Sequence, residues 1–370
     1  MKKKILVVAL GLIFLVVLGV LSQKDGPHEW YDLGLKYFHG VGVPVDKAKA
    51  LLWYRKAAEK GFIKAQLALG QAYYEGDGFP KDYAKSLEWY KKAADKGDAV
   101  GEYQVGRAYH RGDGVPVDTV KAAEWYQKSV NQGHSKAQNN LGFMRAKGQG
   151  APKDLAKAVD LYRLAAERGL AAAQNNLGTM YEEGLGVGQD PAEAVKWYRL
   201  AAEQGLAIAQ SNLGAMYKDG LGVAKDPAEA VKWHRLAAEQ GLAIGQNNLG
   251  AMYEKGLGVA KDPVEAVKWY RLAAERGLAI AQLTLGTKYK NGLGVGQDLA
   301  EAVKWYRLAA ERGLYVAQTS LAFMYFHGEG VGENKAEAAK WLRLAAAQGY
   351  APEFPQIFDR TKKSIIANYI

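Results

Sequence analysis

A glycine recurs every 36 residues along most of this chain. Gly61, Gly97, Gly133, Gly169, Gly205, Gly241, Gly277, Gly313 and Gly349 keep that interval without a slip. Tryptophan keeps it too, at Trp53, Trp89, Trp125, Trp197, Trp233, Trp269, Trp305 and Trp341, with Leu161 in the remaining slot. Of 43 glycines, 35 fall into four such columns, begun by Gly34, Gly40, Gly42 and Gly61, so most of the unusual composition serves architecture. One unit of this length cannot bury both apolar faces of its own elements, whereas stacked units bury them against each other. A linear array, and not two or three globular domains, is therefore expected for the 370 residues.

Each unit reads as two helices. The second is marked by Asp190-Pro191-Ala192-Glu193: Asp190 as N-cap, Pro191 at the first helical position and Glu193 closing a capping box. Asp226-Pro227 and Asp262-Pro263 repeat the signal. Ala194, Trp197, Ala201 and Ala202 form one apolar stripe at helical spacing, and Gly205 ends the helix in a left-handed conformation. Arg168, Arg276 and Arg312 precede such glycines, where a cation suits the helix dipole. The first helix is expected from about Ala173 to Glu183, with Leu177, Gly178 and Tyr181 on its packing edge and Gly184-Leu185-Gly186-Val187 as the following loop. No strand-like alternation survives between residues 30 and 349.

The N-terminus is of another kind. Lys2, Lys3 and Lys4 precede an unbroken apolar run from Ile5 to Leu21, which reads as a secretory signal peptide or an uncleaved membrane anchor over residues 1–22. Both readings send the rest of the chain across a membrane. The expected location is periplasmic, anchored to the inner membrane facing the periplasm, or secreted. Residues 23–29 read as a linker and 30–349 as the array. In the tail, 350–370, Ile357, Phe358, Thr361, Ile365 and Tyr369 share a helical face, which reads as a capping helix over the exposed stripe of the last unit, a partner-binding helix being the alternative.

The chain has no cysteine, which excludes disulfides, thiolate metal sites and cysteine nucleophiles. The net charge of +10 lies in lysines and arginines that recur beside glutamates, the pattern of a solvated helix face, so nucleic acid is not an expected partner. The six histidines share no face by spacing and read as surface residues. Gly184-Leu185-Gly186-Val187-Gly188 lacks the third glycine of a phosphate loop and has equivalents in every unit. No enzymatic constellation and no cofactor site are expected.

The motif Ala173-Gln174-x-x-Leu177-Gly178-x-x-Tyr181-x-x-Gly184-x-Gly186-Val187, followed by Asp190, Ala194, Trp197-Tyr198, Ala201-Ala202 and Gly205, resembles the Sel-one-like repeat family, a 36-residue relative of the tetratricopeptide repeat. The likeness extends from Trp30 to Gly349 in nine units. It implies an all-α fold, a right-handed superhelical α-solenoid of nine 36-residue helix-turn-helix repeats whose first helices line a concave surface. It also implies adaptor or scaffold roles and, in bacteria, exported members linked to envelope function or host contact. One bacterial subset carries disulfides within each unit and is associated with penicillin binding.

The candidate partner site is a polar ladder on the first helices: Asn139-Asn140, Asn175-Asn176, Ser211-Asn212, Asn247-Asn248, Thr284 and Thr319-Ser320. Asparagine is a mediocre helix former, so its recurrence at one place calls for a cause. A column of amides can hydrogen-bond the backbone of an extended peptide, or it can tie neighbouring helices together. Tetratricopeptide relatives hold a peptide carboxylate with an asparagine one residue before the packing leucine, and Asn140, Asn176, Asn212 and Asn248 occupy that place. The basic partners of such a clamp are not recognisable in these columns. A secondary candidate is Arg145, which replaces the tyrosine of Tyr73, Tyr109 and Tyr181 in the same unit that carries Leu161 for tryptophan. Drift with a snorkelling arginine, a flexible joint and an anion-binding spot all fit it. The function expected is a non-enzymatic scaffold binding a protein or extended peptide in the bacterial envelope or outside it. The alternatives are a β-lactam or peptidoglycan-fragment binder or hydrolase, and a secreted factor that binds a host protein. The sequence leaves the oligomeric state open.

Overall fold

The computed structural model describes residues 26–78 and 80–349. The expected leader, 1–22, and tail helix, 350–370, lie outside the described residues. Of the expected linker, residues 26–29 are described: Gly26 precedes the first helix and 27–29 form its first turn. Among the described residues there are eighteen helices and no strand, an all-α solenoid in which consecutive helices pack in pairs. They fall into two compact units that divide between Gln189 and Asp190.

The first unit holds α1 (Pro27–His39), α2 (Lys47–Glu59), α3 (Ile63–Glu75), α4 (Tyr83–Ala94), α5 (Ala99–Arg111), α6 (Thr119–Asn131), α7 (Ser135–Lys147), α8 (Leu155–Glu167) and α9 (Ala171–Glu183). The second holds α10 (Pro191–Glu203), α11 (Ala207–Asp219), α12 (Pro227–Glu239), α13 (Ala243–Lys255), α14 (Pro263–Glu275), α15 (Ala279–Asn291), α16 (Leu299–Glu311), α17 (Tyr315–His327) and α18 (Lys335–Ala346). Odd numbers are the first helices of the repeats and even numbers the second.

Every second helix begins on a side-chain cap. Asp46, Asp82, Asp118, Asp154, Asp190, Asp226, Asp262 and Asp298, with Asn334 last, each accept the backbone N–H three residues on at 2.9–3.0 Å. This satisfies one of the donors that a helix start leaves orphaned. The reciprocal half of the expected box differs. Glu193 takes Lys196 Nζ at 2.7 Å, and Glu229 and Glu265 take Lys232 and Lys268 likewise, because an ion pair one turn on competes for the carboxylate.

The turn into the next first helix is closed by a glycine at positive φ, as at Gly205 (φ 86°). A buried glutamine then bonds back across the turn. Gln210 Nε2 donates to Ala202 O at 3.2 Å, and Gln174, Gln246, Gln282 and Gln318 do the same in their repeats. The basic residues before these glycines do more than face a dipole. Lys96 Nζ donates to Gly61 O at 2.7 Å, and Arg168 donates to Gly133 O, so each clips its helix end to the preceding repeat. In the longer loop Gly222 lies against the backbone of Pro191, where any Cβ would collide with the carbonyl.

The core is built from small residues and one aromatic column. In the second unit Ala194, Ala201, Ala209 and Leu213 are fully buried. The deepest aromatic in most repeats is the tyrosine that follows the tryptophan column: Tyr54, Tyr90, Tyr126, Tyr162 (after Leu161), Tyr198, Tyr270 and Tyr306 are all buried, whereas Trp197, Trp233, Trp269 and Trp305 are half-buried. Each of these tyrosines that faces a described glycine does so across the pair, as Tyr270 faces Gly250, which is why that glycine column recurs. One member of the column is a histidine. His234 is 0 % exposed, which corrects the expectation that the histidines lie at the surface.

Candidate functional site

The amide ladder forms, and it is engaged helix to helix. Asn176 Nδ2 on α9 donates to Asn139 Oδ1 on α7 at 2.9 Å. Asn139 in turn donates to Asn140 Oδ1 at 3.3 Å, and Asn140 Nδ2 reaches the Tyr126 hydroxyl at 3.2 Å. In the second unit Asn248 Nδ2 on α13 lies 3.5 Å from Ser211 Oγ on α11. Each rung therefore links the second ladder residue of one repeat to the first ladder residue of the repeat before. Asn175 and Ser211 are buried, at 8 % and 3 % exposure, while Asn139, Asn140, Asn176, Asn212, Asn247, Asn248, Thr284, Thr319 and Ser320 are half-buried. At the C-terminal end the ladder turns inward on its own helix, with Thr319 and Ser320 donating to Val316 O at 2.9 and 2.8 Å. The structure brings Asn139, Asn140 and Asn176 into one network and pairs Ser211 with Asn248. Asn247 and Thr284 take part in no rung among the described residues.

Arg145 sits half-buried on α7, with its Nε shielded from solvent and without a hydrogen bond. No carboxylate pairs with it among the described residues. Its environment explains the substitution better than its own repeat does. Elsewhere an arginine donates to the tyrosine 18 residues on: Arg55 to Tyr73, Arg163 to Tyr181, Arg199 to Tyr217, Arg235 to Tyr253, Arg271 to Tyr289 and Arg307 to Tyr325, at 2.5–3.1 Å. The residue 18 before Arg145 is Gln127, which bonds Asn131 Oδ1 at 2.9 Å. The two ends of the clip have changed together, so two guanidinium groups never face each other. Leu161 is buried in one cluster with Leu141 and Met144 of its own pair and Tyr126 of the preceding pair, and Tyr162 beside it stays buried, so this repeat keeps its deep aromatic.

Polar atoms away from the ladder also have defined settings. Glu254 on α13 accepts the Tyr270 hydroxyl at 2.7 Å and is bonded by Lys288, a buried lysine where neighbouring repeats have Met252 and Met324. Burial opposes charge on Glu254, but the Lys288 and Tyr270 hydrogen bonds prevail and hold its carboxyl below the usual range. His234 has no hydrogen-bond partner at either ring nitrogen, and burial, with Lys218 nearby, pushes its pKa down to about 4. Sequence reasoning missed both groups. The signal was present as departures from the tyrosine and methionine columns. No helix among the described residues is long and apolar enough to cross a membrane.

The Sel1 repeat matches nine times, over residues 31–62, 63–98, 99–134, 135–170, 171–206, 207–242, 243–278, 279–314 and 316–350. A protective antigen present in uropathogenic Escherichia coli strains, which displays an SLR fold, is 33 % identical with a TM-score of 0.66, covering 95 % of this chain and 83 % of that one. A Sel1 repeat protein from Oxalobacter formigenes is 32 % identical with a TM-score of 0.65, covering 84 % of this chain and 91 % of that one. No curated protein matches the chain. Repeat solenoids of this kind are generally scaffolds for protein–protein interaction, and generally not enzymes.

Proposed function

We propose, since the chain belongs to the Sel1 repeat family, that it is a non-enzymatic scaffold which binds a protein, or an extended segment of one, along the first helices of its repeats. The observation that carries this is the amide ladder. A side-chain amide offers two N–H groups and an oxygen with two lone pairs. A rung such as Asn176 to Asn139 uses one donor and one acceptor site, and it fixes both amides in place. Held amides with unused bonding capacity at a regular interval suit the evenly spaced backbone groups of an extended peptide, and a preorganised site loses less entropy on binding. Two features support an exported setting, in the periplasm, at the inner membrane facing it, or outside the cell. One is the basic and apolar leader at Lys2 to Leu21. The other is that the Escherichia coli relative is a protective antigen.

Asn247 is the position to test, because it takes part in no rung among the described residues and changing it leaves the helix-to-helix bonds in place. A photo-crosslinking residue at Asn247 should trap a specific protein in cells, identifiable by mass spectrometry. The same residue at Lys232, whose side chain is 70 % exposed on a second helix, should not trap it. Trapping from Lys232 and not from Asn247 would move the binding face away from the ladder and end this reading.

A further inference from the structure

The ladder columns change character in the first repeats. The place held by Asn139, Asn175 and Asn247 is Tyr31 in α1, and beside it the structure opens a cleft of about 190 Å³ between α1 and α3. Tyr31, Leu35, Phe38 and Tyr54 supply its apolar walls, and Glu75 and Asp77 bring carboxylates to it. The rings form one cluster, with Tyr31 5.3 Å and Phe38 6.3 Å from Tyr54 between centroids. A pocket for a drug-sized molecule measures ~300–1,000 Å³. This one is the size for a single long side chain.

Its electrostatics select the kind of side chain. Asp77 is neutralised by Lys47, whose ammonium lies 2.5 Å from Asp77 Oδ1 and 5.4 Å over the Phe38 ring. That corner shows what the pocket's chemistry holds: a cation shared between a carboxylate and an aromatic face. Glu75 has no such counter-ion among the described residues. Gln71 Nε2 donates to it, and Gln71 is itself fixed by the Tyr90 hydroxyl at 3.0 Å. The carboxylate, at an exposed position at the rim of the cleft, is thus positioned by a neutral donor and has no ion-pair partner among the described residues.

We propose that this cleft takes a lysine or arginine side chain from an extended segment of the partner, with the cation at Glu75 and the aliphatic stem against the apolar walls of Phe38, Leu35 and Ala72. The proposal rests on the protein-binding reading above and deepens it by naming one residue class that the partner presents. The aromatic walls hold the stem by burial, and Glu75 supplies the discrimination against a neutral residue of the same length.

The test is an immobilised library of nonapeptides with degenerate Ala, Gly and Ser flanks and a fixed central residue: Arg, Lys, norleucine, Glu or Phe. The intact chain should be retained on the Arg and Lys members roughly fivefold over norleucine, the order expected for one ion pair with a carboxylate. Glu75→Gln should bring that ratio close to one. Glu75→Lys should invert it in favour of Glu. Circular dichroism on both variants checks that the helices persist, and Phe38→Ala, which removes an apolar wall, should lower retention on Arg, Lys and norleucine alike. Equal retention of norleucine, a preference for Glu or Phe, or an Arg preference that survives Glu75→Gln overturns the proposal. If Asn247 still traps a partner in cells while the library shows no basic preference, the scaffold reading stands and this assignment alone falls.

Discussion

At the scale of single residues, the most informative position is His234. It occupies a column of buried tyrosines whose hydroxyls elsewhere find partners, as Tyr90 finds Gln71 and Tyr126 finds Asn140. The shorter imidazole finds none and stays neutral in the fold, with Lys218 adding to the effect of burial and Asp219 opposing it. In the unfolded chain a histidine takes its proton near pH ~6.5. Between there and about 4 the unfolded state binds more protons than the folded one. Stability is therefore full above pH ~6.5 and falls as the pH drops towards about 4, by roughly 3 kcal/mol over the window. His234→Tyr should flatten the dependence of the melting temperature on pH across that interval. A variant as acid-sensitive as the parent would place the sensitivity elsewhere. The caps respond in the same direction but lower. Backbone N–H groups hold the Asp82 and Asp118 carboxyls below the usual range, so their share is complete above pH ~4 and lost as pH falls beneath it.

At the scale of elements, the repeats compare with one another inside one chain. On the outer face of the second helices Lys56, Lys92 and Lys128 occupy the column that becomes Leu164, Leu200, Leu236, Leu272, Leu308 and Leu344. Lys92 and Lys128 lie 3.8 Å over Trp89 and Trp125, while Leu236 is 43 % exposed beside a tryptophan of its own helix. The early repeats show that a lysine fits here. Leu236→Lys should therefore shift the denaturation midpoint by no more than about 0.5 kcal/mol equivalent. Asp226→Ala removes a cap that accepts two backbone N–H groups and should cost about 1 kcal/mol. The repeat of Arg145 makes the opposite case. Arg145→Tyr together with Gln127→Arg rebuilds the clip found six times elsewhere, and a double-mutant cycle should read a favourable coupling of about 0.5–1.5 kcal/mol. Additive single effects would mean that the clip contributes nothing there. The helices themselves were legible from Asp-Pro signals and glycine columns, because capping and turn chemistry act within a few residues. The rungs were not. An amide column has the same sequence whether it meets water or the next helix 37 residues away, and only the packing of the first helices decides between them.

Within each compact unit of the molecule, stability is a sum over repeats and their neighbours, since the helix pairs among the described residues pack against adjacent ones. Local changes then have local effects. His234 lies in the unit that starts at Asp190, and Arg145 in the unit that ends at Gln189. Moving from pH 7 to pH 5 should lower amide protection, corrected for intrinsic exchange, around α11 to α13 more than around α1 to α6, as read by hydrogen-exchange mass spectrometry. A uniform loss along the chain would show cooperativity beyond nearest neighbours. The array as a whole was legible because its period is carried by 35 glycines and eight tryptophans whose role is steric. The cleft beside Tyr31 was not, because only the packing of α1 and α3 opens it, at a place where later repeats carry Asn139, Asn175 and Asn247.

The contact between Gly222 and the Pro191 carbonyl involves no side chain on either partner, and Gly258 meets Pro227 in the same way. The step from one repeat to the next is thus gauged by main chain against main chain. Substitutions of side chains on the first helices leave this gauge untouched, so each compact unit acts as a ruler whose graduations stay fixed while the markings on them vary. Duplicating or deleting one whole repeat adds or removes a single graduation and leaves the spacing of the others intact. A partner that carries its own determinants at the matching interval can be measured for length as well as for chemistry.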